Sequence, residues 1–101
     1  MARNPEGSLL RLITIDLSDA DLEIFERYES EVLSTVRKYG GRLKLRVRAL
    51  DGRKETHLLY FPDEAAFESY RSDPARLALS SLWEQSRARS VAEFVRTITD
   101  I

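Results

Sequence analysis

The hydrophobic period changes abruptly midway along this chain, and the change leaves few topologies open. Leu22, Phe25, Tyr28, Val32, Leu33, Val36 and Tyr39 recur mostly at spacings of three and four, which marks one buried face of a helix. Arg37-Lys38 and then Gly40-Gly41 close that pattern as a helix C-terminus does. From Arg42 to Leu50 the residues alternate instead, with Leu43, Leu45, Val47 and Ala49 on one side and Arg42, Lys44, Arg46 and Arg48 on the other. Asp51-Gly52 is a hairpin turn signal, and Lys54 to Phe61 continues as a β-favouring run. A helix therefore leads directly into an antiparallel strand pair.

The flanks complete the order. Leu9 to Leu17 is an apolar run bounded by Gly7-Ser8 and Ser18-Asp19, read as the first strand. Ser18 and Asp21 have the spacing of a capping box, so the first helix is expected to start at Ser18. Pro62-Asp63-Glu64 opens a second helix to about Arg71, with Ala65, Ala66, Phe67 and Tyr70 available for burial. Asp73-Pro74 interrupts it, because the residue before proline avoids helical geometry, and Leu77, Leu79, Leu82 and Trp83 suggest a further helical segment. The second helical region is thus expected in two pieces, and Val91 to Ile98 as the last strand. The order βαββαβ describes an α+β, ferredoxin-like domain: a four-stranded antiparallel sheet, strands one and three central, with helices on one face. Residues 9–101 form this single domain, after a flexible segment at 1–8.

At 101 residues one core is expected. The 16 Lys and Arg against 17 Asp and Glu leave a net charge of -1, which offers no long-range attraction for polyanions, so nucleic acid is not an expected partner. The chain has no Cys, which removes disulfides, thiolate nucleophiles and Cys-based metal sites. The start lacks the apolar stretch of a signal peptide and no run reaches membrane-spanning length, so no membrane association and a cytoplasmic setting are expected.

Ile13, Ile15 and Leu17, with Leu43, Leu45 and Val47, are expected to face the helices. The opposite face of the central strands carries Leu10, Leu12, Leu58 and Tyr60, an apolar patch that a monomer would leave in water. The simplest cover is the same face of a second copy, because a two-fold interface needs only one self-complementary patch. A homodimer is the expected assembly.

Tyr28, Val32, Tyr39-Gly40-Gly41-Arg42, Arg46, Leu58-Leu59-Tyr60-Phe61-Pro62, Ala65-Ala66, Tyr70 and Asp73-Pro74 together resemble a family of small, functionally uncharacterised bacterial domains in the dimeric α+β barrel superfamily. The Gly-Gly-Arg entry to the second strand and the Phe-Pro entry to the second helix carry most of that resemblance. The family's third strand usually ends in Glu-Phe-Pro where this chain has Tyr60-Phe61-Pro62, and a Gly near the end of its last strand is absent here. The resemblance implies a ferredoxin-like fold and a dimer. Members of the superfamily include cofactor-free monooxygenases, isomerases, haem-degrading enzymes and domains without known activity, and fold does not choose among them.

Two constellations could carry chemistry. The row Arg42, Lys44, Arg46 and Arg48 could bind a small organic anion, with Arg46 matching the family pattern and Arg48, Tyr60 and Thr14 sharing its face to complete a polar corner. The same row also suits a solvated edge strand defended against aggregation. Glu29 falls within the apolar stripe of the first helix, and His57 shares the helix-facing side of its strand with Leu59 and Phe61, so the two could meet. Such a pair could abstract a proton, whereas a purely structural histidine is the plainer reading. One His without Cys makes a metal site improbable. Tyr28, Tyr39, Phe67, Tyr70 and Trp83 could line an aromatic pocket or simply form core. No phosphate loop or dinucleotide fingerprint is present, and no cofactor is expected. The leading expectation is a homodimeric barrel that binds a small organic anion. A cofactor-free monooxygenase or isomerase is the alternative, followed by a structural or regulatory dimer.

Overall fold

The computed structural model describes residues 7–98. In chain order the elements are β1 (Leu9–Asp16), α1 (Leu22–Lys38), β2 (Arg42–Arg48), β3 (Lys54–Phe61), α2 (Glu64–Arg71), α3 (Pro74–Leu77), α4 (Ser80–Ser86) and β4 (Arg89–Val95). The four strands form one antiparallel sheet in the order β2-β3-β1-β4, with β1 and β3 central as the split plan requires. The expected flexible segment at 1–8 lies, apart from Gly7 and Ser8, outside the described residues. Among the described residues no helix is long and apolar enough to cross a membrane.

The core lies between the sheet and the helices. Leu9 and Phe61 are wholly buried with Val36, Leu59 and Phe67 in one cluster, and Phe25 is wholly buried in a second with Ile15, Leu17 and Ala88. Burying each such large side chain contributes about 1.5–3 kcal/mol. The pair Gly40-Gly41 serves two different needs. Gly40 adopts φ 78°, the left-handed conformation of a residue just past a helix end. Gly41 has no room for a side chain, since a Cβ there would stand 2.7 Å from Val36 Cγ1 and 2.9 Å from Phe61 Cε1.

Several local expectations are corrected. The helix cap is Asp21, whose Oδ1 accepts from the Ile24 N–H, while Ser18 is drawn off by its own turn, its N–H donating to Asp16 Oδ1. The second helical region is broken twice, not once: Asp73 caps α3, and α4 follows after Leu79. The last strand begins at Arg89, two residues early, after Arg87 in the left-handed region (φ 62°) ends α4, and it stops at Val95, three residues before the expected end, where its pairing with β1 ends at Leu10. The second strand ends at Arg48 rather than Leu50, since the hairpin closes through Ala49, whose N–H donates to the Lys54 carbonyl.

The largest correction concerns the faces of β2. Leu43 stands opposite Leu59, but a β-bulge at Lys44 shifts the register, so that Leu45 pairs with Leu58, Arg46 with His57, Val47 with Thr56 and Arg48 with Glu55. Leu45 and Val47 therefore leave the helix side and join the open face, where they are about half exposed (47% and 49%). Arg46 and Arg48 turn inward beneath α1.

Candidate functional site

Three short helices where one long helix would fit leave part of the sheet uncovered. A cavity of about 470 Å³ lies there, floored by Ile13, Leu59 and Ala92 and roofed by α1 through Tyr28, Glu29 and Val32. Its size is within the usual range for small-molecule sites. Trp83 on α4 forms one wall, its ring 5.0 Å from that of Tyr28 and 6.4 Å from that of Phe25.

Glu29 and His57 both reach this cavity and are nearly fully buried, each 4% exposed. His57 Nδ1 is 3.7 Å from Glu29 Oε2, and on the other side His57 Nε2 is 2.5 Å from Glu55 Oε2. Glu55 is anchored in turn. Arg46 Nε donates to its Oε2 (2.8 Å) and Arg48 Nε to its Oε1 (2.7 Å), while both arginines also bind Glu26 Oε1 on α1. The bulge at Lys44 makes this possible, because without it both guanidinium groups would lie on the opposite face of the sheet.

The electrostatics divide the two glutamates. Burial works to raise the Glu55 carboxyl, but hydrogen bonds from Arg46, His57 and Arg48 overcome it and hold Glu55 below the usual carboxylate range. Glu29 has no such donors: burial pushes it up to about 7, the negative Glu55 and Glu26 add to that, and Arg46 opposes it. His57 is held below its ordinary value by burial, against the pull of Glu55. With Glu55 ionised, neutral His57 carries its proton on Nε2 and donates it to Glu55, leaving the Nδ1 lone pair directed at Glu29. A carboxyl that titrates near neutrality thus stands on the cavity wall, backed by an imidazole and a fixed carboxylate.

Of the residues singled out in the sequence, Glu29 and His57 are brought together. Arg46 and Arg48 lie on the helix side, but Glu26 and Glu55 neutralise them. Tyr60 pairs with Leu10, and Thr14 with Thr56, on the open face. The expected corner of Arg46, Arg48, Tyr60 and Thr14 is therefore divided between the two sides of the sheet. Tyr60 is instead flanked by Arg42 and Lys44, whose charges lie 4.7 Å and 5.8 Å from its ring centroid. Asp16, on the open face, lies 3.4 Å from Arg89 of β4. Tyr39 stands away from the cavity and donates its hydroxyl to Asp73, which Lys38 also contacts at 2.9 Å. The tyrosine and lysine donors hold the Asp73 carboxyl well below the usual range. Sequence reasoning missed Glu55, although its place two residues before His57 puts both on one face of β3. It also missed Arg11 and Arg76, which line the cavity.

No protein-family model matches the chain, and no curated protein matches it. Likeness is found among solved structures. The cofactor-independent oxygenase SnoaB from Streptomyces nogalater superposes with a TM-score of 0.80 at 11% identity, over 94% of this chain and 97% of that one. A monooxygenase of Streptomyces coelicolor in complex with Nanaomycin D, from the gene ActVA-Orf6, gives 0.71 at 17% identity, over 97% and 94%. A NIPSNAP-like domain protein from Burkholderia xenovorans gives 0.68 at 16% identity, over 93% and 88%. At these identities the likeness establishes the fold alone, the ferredoxin-like α+β architecture.

Proposed function

We propose that this chain is a cofactor-free oxygenase that acts on a small aromatic molecule held between the sheet and the helices, and that it works as a homodimer. The observation that carries the reading is the Glu29 carboxyl on the wall of an aromatic-lined cavity, with His57 and Glu55 behind it. The oxygenase names of two structural neighbours support the reaction class. The open sheet face, enlarged by Leu45, Val47 and the 74%-exposed Val91, supports the dimer.

The chemistry requires a substrate that is itself a carbon acid, such as a fused-ring ketone with an acidic CH2 group. Ionised Glu29 removes one proton from that carbon, and the electron pair spreads into the ring system. Glu29 can share the proton with His57 Nδ1, where Glu55 stabilises the resulting imidazolium. The substrate anion supplies the electrons that reduce O2, forming a C–O bond and a peroxide that takes up a proton. Loss of the second C–H proton with cleavage of the O–O bond yields the carbonyl, and the other oxygen leaves as water. The sum is CH2 plus O2 giving C=O plus H2O. Apolar walls lined by Ile13, Leu59 and Trp83 keep bulk water from the carbanion.

The test is conversion of anthrone under ¹⁸O2. Label in the new carbonyl, at a rate above the spontaneous reaction, supports the oxygenase. Saturable binding without turnover would favour the second reading, a binding domain for small organic molecules, which the aromatic side chains lining the cavity also support.

A further inference from the structure

We infer that the molecule held in this cavity is an aromatic carboxylate, and that its anionic group is received by Arg11 and Arg76. This deepens the proposed reading and rests on it. The expected anion site at Arg46 and Arg48 is already filled by Glu26 and Glu55. The cavity has other cations. Arg11 on β1, Arg71 at the end of α2 and Arg76 on α3 all line it, and among the described residues neither Arg11 nor Arg76 has a carboxylate within ion-pair distance.

Both guanidinium groups are held by aromatic rings. Arg11 lies over Phe94 and Phe67, 5.0 and 5.3 Å from their centroids, and Arg76 lies 4.9 Å from that of Tyr70. Stacking occupies the faces of a guanidinium and leaves its in-plane N–H groups available, the geometry that a carboxylate accepts. Arg76 Nη1 is committed to the Arg71 carbonyl at 3.0 Å, but its Nε is buried and has no hydrogen-bond partner. A buried donor left unpaired is costly, and three like charges around one cavity repel each other, so an anion there satisfies both. Arg11 already shows the strain: its pKa is lowered by burial and by the nearby Arg76 and Arg71, despite Tyr70.

The fold fixes Arg76 from behind. Asp73 Oδ1 accepts from the N–H groups of Ala75 and Arg76, and Lys38 and Tyr39 tie that carboxylate to the end of α1. On the sheet, Arg11 is two positions from Ile13, the partner of His57, a displacement of about 7 Å along the strand. One or two aromatic rings span that interval, so a ligand anchored at Arg11 and Arg76 presents its far ring to Glu29.

The experiment measures quenching of Trp83, the only tryptophan, by 2-naphthoate and by its neutral counterpart 2-naphthamide in the full chain. Wild type should bind the carboxylate about tenfold or more tightly than the amide, the effect expected of hydrogen bonds to a charged group. Arg76→Gln should erase that preference, and Arg11→Lys, which keeps the charge but loses the fork, should reduce it. Equal affinity of wild type for both probes, or a preference that survives Arg76→Gln in a folded protein, overturns the carboxylate inference while the cavity reading stands. Absence of quenching by either probe overturns both.

Discussion

Glu29 is costly where it stands. Its carboxyl titrates in the unfolded chain near 4.5 and in the folded protein at about 7, so folding favours the protonated form. Its contribution is fully present below pH 4.5 and is lost as pH rises through 7, and above that the buried charge opposes folding by about 3 kcal/mol. Glu29→Gln removes this dependence. Urea denaturation should find the variant more stable than wild type at pH 8, by about 1–3 kcal/mol, and nearly equal to it at pH 5. The same difference at both pH values would show that Glu29 does not titrate as described. Glu55 behaves in the opposite way, as the fixed anion on which Arg46, Arg48 and His57 converge. Glu55→Gln takes the charged acceptor from two partly exposed arginines and from His57 and should cost about 1.5–3 kcal/mol, read from the shift in urea midpoint. A loss below about 1 kcal/mol would mean that the two arginines are satisfied elsewhere.

At the scale of elements, the bulge in β2 decides which chemistry each side of the sheet receives. Arg46→Ala should lower stability by about 2 kcal/mol in chemical denaturation, because it strips a donor from buried Glu55. An effect within about 0.5 kcal/mol, normal for a solvated surface position, would match an unbroken alternation and contradict the bulge. The bulge also marks how far the sequence could be read. Element order, the hairpin at Asp51-Gly52 and the meeting of Glu29 with His57 all follow from periodicities of two and of 3.6, which depend on local geometry alone. The faces of β2 did not follow, because one extra residue at Lys44 inverts every later side chain while leaving the pattern of Leu, Val and Arg unchanged. Glu55 was within reach of the same period-two argument as His57. Arg11 and Arg76 were not, since their common cavity depends on how three short helices cross the sheet.

For the whole molecule, helices cover one sheet face, while on the other, among the described residues, Leu10 is buried and the remaining apolar side chains are partly or largely exposed. Leu12, Leu45, Val47, Leu58, Tyr60 and Val91 share that open side. Sedimentation velocity should find wild type as a dimer and Leu58→Asp as a folded monomer or insoluble, since a two-fold interface would bury two unpaired charges. A soluble, still dimeric Leu58→Asp would place the interface elsewhere. The assignment of function turns on whether Glu29 takes a proton from a bound carbon acid. Oxygen uptake with anthrone, corrected for the spontaneous rate, tests this in wild type and Glu29→Gln side by side. The rate should fall about 10²–10⁴-fold in the variant, the usual contribution of a positioned general base, with anthrone binding retained. A variant that consumes oxygen as fast as wild type would contradict the role of Glu29 and with it the catalytic reading of the cavity.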